Sequence, residues 1–220
     1  MVDWHALPVF YSSPTLLVVD AVEVLPRHSN KTYVMIPDRD IARVYLHHTA
    51  GAVPYGLAGP MATAGFCIRP KKWMLVHGRK RNIGGRGWAG MPYHIFIPYL
   101  PIFDMGGRAV VFLTQRLDAW SWHTGGKMRD GRSRNKFGAG VVMQGCMSCT
   151  GDPLQGPKDL DQLLGVPSPF QELATITVLG GLADEHCSAG RDGLRCHSDA
   201  GKPSCPGFAG EIIVDAVRAA

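Results

Sequence analysis

Four short runs of β-branched and aromatic residues constrain this chain most. They are residues 41–49 (IARVYLHHT), 93–100 (YHIFIPYL), 109–114 (AVVFLT) and 140–143 (GVVM). Runs of this length, bounded by Gly and Pro, read as buried strands. The DMGG of residues 104–107 is a turn that joins the second and third into a hairpin. Residues 1–40 read as an extension carrying short strands at Thr15–Val19 and Thr32–Ile36. Ala50–Pro70 reads as a loop, residues 71–88 as a basic stretch, and the 150s and 160s as a further Pro/Gly/Asp loop. Ser168 is placed to cap a helix with Pro169 in its first turn, running to about Glu185. Its apolar residues Phe170, Leu173, Ile176 and Leu179 recur at three-residue steps, and AGEIIVDAVRAA closes the chain as a second amphipathic helix. Strands mixed with helices and at least one hairpin imply an α/β (α+β) single domain, with a central mixed sheet flanked by helices.

Composition narrows the class. A chain of 220 residues buries roughly 70% of its unfolded surface and needs no staples. At 45% hydrophobic and 19% charged residues it is not a disordered tail. A net charge of +5 suits an anionic polymer, nucleic acid or cell-wall polysaccharide, without choosing between them. Asp3 stands where a signal peptide carries positive charge, and Asp20 and Glu23 interrupt the first apolar stretch. The expectation is a protein kept in a reducing cytoplasm, with no membrane span. Cys67, Cys146, Cys149, Cys187, Cys196 and Cys205 are then expected as thiols or metal ligands.

One segment carries metal chemistry. His197 and Cys205 stand eight residues apart with Pro and Gly between them, so both can reach one ion from a loop. Zinc accepts imidazole nitrogen and thiolate sulfur. A third donor would come from His47 or His48 at the end of the first strand; adjacent strand residues face opposite sides, so only one can take part. Taken alone, a strand-end His is more often structural.

Four segments in order resemble the zinc-dependent N-acetylmuramoyl-L-alanine amidases of the phage-lysozyme and peptidoglycan-recognition-protein superfamily. They are VYLHHTAG (44–51), GRGWAGMPYHIFIP (85–98), AWSWHTGG with NKFGAGVVMQG (119–145), and CHSDAGKPSCPGF (196–208). The resemblance implies a zinc site at one end of the sheet, with ligands His47, His197 and Cys205. It implies a catalytic domain over residues 41–220, with residues 1–40 packed on it. Tyr93 falls at the family's tyrosine, whose hydroxyl faces the metal. The family's catalytic lysine falls on Pro203; Lys202 lies one residue away, so its part stays open. Val142 stands where a second branch of the superfamily carries a glutamate base, which places this chain with the tyrosine/lysine type. Trp88 and Asn135 are candidate substrate contacts; for His123 in the Trp-His motif, contact with substrate and support of a metal ligand are both open. His5, His28, His77, His94 and His186 are read as surface or packing residues.

The activity implied is hydrolysis of the amide between N-acetylmuramic acid and L-alanine by zinc-activated water. A monomer is expected, with peptidoglycan as partner, no nucleic acid and no stable membrane association. An absent signal peptide suits a phage endolysin held in the host cytoplasm until lysis. A non-catalytic peptidoglycan-binding module and a Cys205/His197 nucleophilic peptidase are the alternatives.

Overall fold

The central sheet is built around β4 (Arg43–His48), whose residues are buried almost throughout. β10 (Gly138–Met143) and β11 (Leu194–Cys196) lie parallel on its two sides. Beyond β10 come β7 (Ile95–Ile97), parallel to it, and β8 (Ala109–Leu113), antiparallel to β7. The edge is made by β2 (Leu16–Asp20), parallel to β8, and β1 (Val9–Ser12), antiparallel to β2. The order is β1-β2-β8-β7-β10-β4-β11, a mixed seven-stranded sheet. Strands from the first 40 residues are thus part of the same sheet as the rest. β3 (Val34–Met35) and β9 (Ala119–Trp120) form a small separate pair. These statements rest on a computed structural model, which describes residues 4–49, 58–76, 79–82, 84–145, 167–202 and 204–220.

The described helices cover both faces. α2 (Pro169–His186) and α3 (Phe208–Ala219) pack on the side carrying Val44, Leu46, Val141 and Met143. α1 (Ala58–Ile68) contributes Ala64 to the other side, with Phe96, Phe112 and Val142. Strand alternation therefore puts Tyr45 and His47 on the α1 side, opposite Leu46 and His48.

α2 starts as its sequence predicts. Ser168 Oγ accepts from the Gln171 N–H and the Gln171 side chain accepts from the Ser168 N–H. Gln171 Nε2 also donates to the carbonyls of Ile97 and Gln144, tying the helix to the ends of β7 and β10. The buried face differs from the three-residue pattern. Phe170, Ala174, Val178 and Leu182 are buried, whereas Leu173 and Ile176 are exposed. Each three-residue step falls about 60° short of a full turn, so such a stripe walks off the core.

Two further segments depart from the sequence reading. Ala58–Ile68, expected within a loop, is helical; Pro60 sits in the first turn, where its missing N–H costs nothing, and Ala64 and Cys67 pack inward. The basic stretch holds a hairpin of β5 (Trp73–Val76) and β6 (Arg79–Asn82), separate from the main sheet. The loop expected in the 150s lies outside the described residues, as do Cys146 and Cys149.

Arg39, just before β4, ties the loops beneath the sheet. Its guanidinium donates to the carbonyls of Leu117, Asn135, Lys136 and Gly138 at 2.5 to 2.9 Å. Burial lowers its pKa to about 10, so it stays charged at neutral pH. Arg39→Ala would leave those carbonyls without their donor. It is expected to lower the unfolding free energy by about 3 kcal/mol or more in urea titration; a loss under about 1 kcal/mol would sink this account of the tie.

Candidate metal centre

His47, His197 and Cys205 come together at the C-terminal end of β4. Each offers one ligand atom, and these atoms all lie within 4.8 Å of one another. His47 projects from the strand; His197 follows β11, which is held in register beside β4. Cys205 is reached through a short loop whose turns include Lys202 N–H to the His197 carbonyl and Cys205 N–H to the Lys202 carbonyl. His48 faces away, and its backbone N–H donates to Cys205 Sγ at 3.4 Å.

The hydrogen bonds bear on which nitrogen of His47 is free. The Gly138 carbonyl can only accept, and it lies 2.8 Å from His123 Nε2, so that nitrogen carries the hydrogen. His123 Nδ1 is then an acceptor, approached by His47 Nε2 at 3.1 Å and by Thr124 Oγ1 at 2.7 Å. In the tautomer in which His47 Nε2 donates to it, His47 Nδ1 is a bare lone pair. That lone pair points at His197 Nδ1, 3.0 Å away.

His197 gives the matching half. Its Nε2 is buried without a hydrogen-bond partner, and in the tautomer that keeps a hydrogen there the Nδ1 is free. In these tautomers two lone pairs face each other across 3.0 Å, an arrangement that a cation between them stabilises. Tetrahedral zinc at ordinary Zn–N lengths separates two imidazole nitrogens by about 3.3 Å, close to the spacing found. A buried thiol completes a donor set of the soft, nitrogen-and-sulfur kind that zinc takes. The residues present fit a metal ion.

Electrostatics agree. Burial drives the pKa of His47 well below its ordinary value, with the neighbouring His123 and His197 adding to the effect. His123 is pushed down to about 3, chiefly by burial. His197 is lowered by burial first and then by the charges of Lys202 and Arg134, against the Thr124 carbonyl. Cys205 is pushed up to about 11 by burial, partly offset by the His48 N–H. Tyr93 lies against the group, its ring 5.1 Å from that of His47. Burial and the nearby Cys205 and Cys67 thiols raise its pKa, so it is a hydroxyl donor at any working pH.

The other sequence candidates fall around this group. Val142 is fully buried and paired with His47 across β4 and β10. Lys202 is exposed, with its charge near His197. Asn135 Oδ1 accepts from the N–H groups of Thr124 and Gly125, shaping the loop after His123. Trp88 lines a groove with the exposed Trp122, Lys31 and Arg86. His123 does not face that groove; it is buried against His47. His94, read as a surface or packing residue, is fully buried, and its Nδ1 accepts the Gly140 N–H. The strand β10 makes room for all this by being small. A Cβ on Gly140 would stand 2.8 Å from the His123 ring, and one on Gly138 would strike Tyr45 and the Arg134 carbonyl. The spacing of these glycines was the available signal for a ring laid across the strand.

Solved structures share this architecture. No family model and no curated protein matches the chain in sequence. The N-acetylmuramoyl-L-alanine amidase endolysin LysCS from Clostridium intestinale is 16% identical, with a TM-score of 0.51 over 91% of this chain and 94% of that one. The Ph2119 endolysin of a Thermus scotoductus bacteriophage is 18% identical, with a TM-score of 0.52 over 90% and 97%. The peptidoglycan recognition protein LE, solved with tracheal cytotoxin, a monomeric diaminopimelic acid-type peptidoglycan, is 17% identical, with a TM-score of 0.55 over 89% and 91%. The chain has the fold of the peptidoglycan amidases and recognition proteins. At these identities the likeness concerns the fold.

Two outcomes follow for metal binding. His123→Ala removes the acceptor that orients His47 and is expected to weaken zinc affinity by about 10–100-fold in competition titration, with Cys205→Ser weaker still. With both imidazoles neutral and Cys205 a thiol at pH 7, zinc uptake should release close to one proton. Affinity should then rise with pH by roughly tenfold per unit below the thiol's pKa. Calorimetry in buffers of differing ionisation enthalpy measures this, and release near two protons would contradict the neutral state of the histidines.

Proposed function

We propose that this chain is a zinc-dependent N-acetylmuramoyl-L-alanine amidase that serves as a phage endolysin. The observation that carries the reading is the buried convergence of His47 Nδ1, His197 Nδ1 and Cys205 Sγ, with His47 oriented through His123. Three protein donors leave a fourth position open, the arrangement of catalytic rather than structural zinc. When bound, zinc supplies a Lewis acid that activates water near neutral pH.

The chain's own groups would do the rest. The substrate is the lactyl carbonyl of N-acetylmuramic acid, amide-linked to L-alanine. The Tyr93 hydroxyl, kept protonated by its surroundings, donates to the carbonyl oxygen as that oxygen gains charge. The Lys202 ammonium, near His197, adds positive charge on the exposed side of the same oxygen. His123 acts through His47, and Asn135 through the loop it holds. Trp88 offers an aromatic wall for the glycan or stem peptide in the adjoining groove. Val142 excludes a carboxylate base at its position. Among the described residues no helix is long and apolar enough to cross a membrane, and we place the protein in the host cytoplasm until lysis, acting afterwards on the wall as a monomer.

A non-catalytic recognition module is the competing reading, and the complete three-donor set counts against it. Mass analysis of products from purified peptidoglycan separates them: the amidase yields free stem peptides with an L-alanine amine and unsubstituted muramic acid. Tyr93→Phe should keep its zinc and lose turnover by about 10²-fold, the scale of one oxyanion donor. Zinc-loaded wild-type protein that binds walls and releases no amines would end the enzyme reading.

A further inference from the structure

The hairpin β5–β6 is left over from everything above. Residues 69–86 hold seven lysines and arginines and no acid, against +5 for the whole chain, which leaves the other residues at −2. The positive charge of the molecule is therefore concentrated here. The same hairpin carries apolar residues in water: Trp73 is 52% exposed, Met74 50% and Leu75 73%. Successive strand residues point to opposite faces. Each face of β5 therefore presents apolar side chains that are at least half exposed. The base is nevertheless fixed, because the Gly85 N–H donates to the Pro70 carbonyl and the Gly87 N–H to the Arg69 carbonyl. Arg86 is held there between the rings of Phe66 and Trp88, at 5.9 and 5.8 Å from their centroids.

We infer that this hairpin is a docking element for an anionic lipid bilayer, bound peripherally and reversibly. Charge complementarity selects an anionic surface: a block this basic, with no acidic residue anywhere between Asp40 and Asp104, attracts anions and repels cationic partners. The apolar triplet selects among anionic surfaces. A nucleic acid or a wall polymer answers the cations and leaves Leu75 in water. A bilayer offers anionic headgroups and, just beneath them, an apolar layer. Trp is the residue that settles at that boundary, and lysines and arginines beside it reach back to the headgroups. The inference is independent of the amidase reading, since none of these residues belongs to the metal centre.

The test uses the full chain and sedimenting vesicles of phosphatidylglycerol with phosphatidylethanolamine, beside vesicles of phosphatidylcholine alone. Binding is expected to the anionic vesicles only. Met74→Ser with Leu75→Ser should weaken it by about tenfold or more, because two exposed apolar side chains no longer leave water. The thermal midpoint and the release of amines from purified peptidoglycan should stay as in the wild type. Brominated lipids give a second reading that needs no unfolding-prone variant: they should quench tryptophan emission, and Trp73→Tyr should remove most of that quenching. Equal binding to both vesicle types would overturn the inference. So would unchanged binding by the Met74/Leu75 variant together with loss on Lys72→Gln, which would mark a surface for soluble polyanions instead.

Discussion

One backbone carbonyl sets the chemistry of this molecule. The Gly138 oxygen accepts from both the Arg39 guanidinium and His123 Nε2. Because a carbonyl cannot donate, the tautomer of His123 follows, and its Nδ1 is left as an acceptor facing His47 and Thr124. A metal ligand is commonly oriented by the partner of its other nitrogen. Here the partner is a second imidazole, itself oriented by the main chain of β10. The electrostatic consequence is economical: no carboxylate is needed to fix His47, and the rings stay neutral in a buried place where a charge would be costly.

The strand composition depends on the same arrangement. Gly138 and Gly140 lie on the face of β10 where His123 and Tyr45 rest, and a methyl group at either would collide. Further along the same strand, Val141 and Met143 fill the opposite core. One six-residue strand thus alternates between leaving space for a functional ring and closing the hydrophobic layer against α2. The pairing of His94 with the Gly140 N–H and carbonyl holds the start of β7 against that glycine.

Much of the frame was legible because its signals are local. β-branched runs marked β4, β8 and the heart of β10, and Ser168 followed by Pro169 marked the start of α2. Where tertiary packing decides, the pattern misled: Leu173 and Ile176 look like a core stripe and face solvent, while Gly- and Pro-bearing Ala58–Ile68 is a helix. The spacing of His197 and Cys205 suggested a metal loop, but the third donor needed a family resemblance, since His47 and His48 are equivalent until a sheet defines their faces. The role of His123 was not readable as a pattern at all. It depends on a carbonyl 15 residues further along and on which nitrogen holds a hydrogen.

Val142 then limits how protons can move in this site. It sits beside His47 in register, fully buried, with Phe96 on its other side. A carboxylate introduced there would be buried beside His47, and burial would raise its pKa. It would also replace apolar packing with Phe96, Phe112 and Ala64 that supports the strand. The His47, His123 and His197 rings are committed to orienting and donating lone pairs. Beside these rings Tyr93 packs its own ring 5.1 Å from that of His47, and the exposed Lys202 brings its charge near His197.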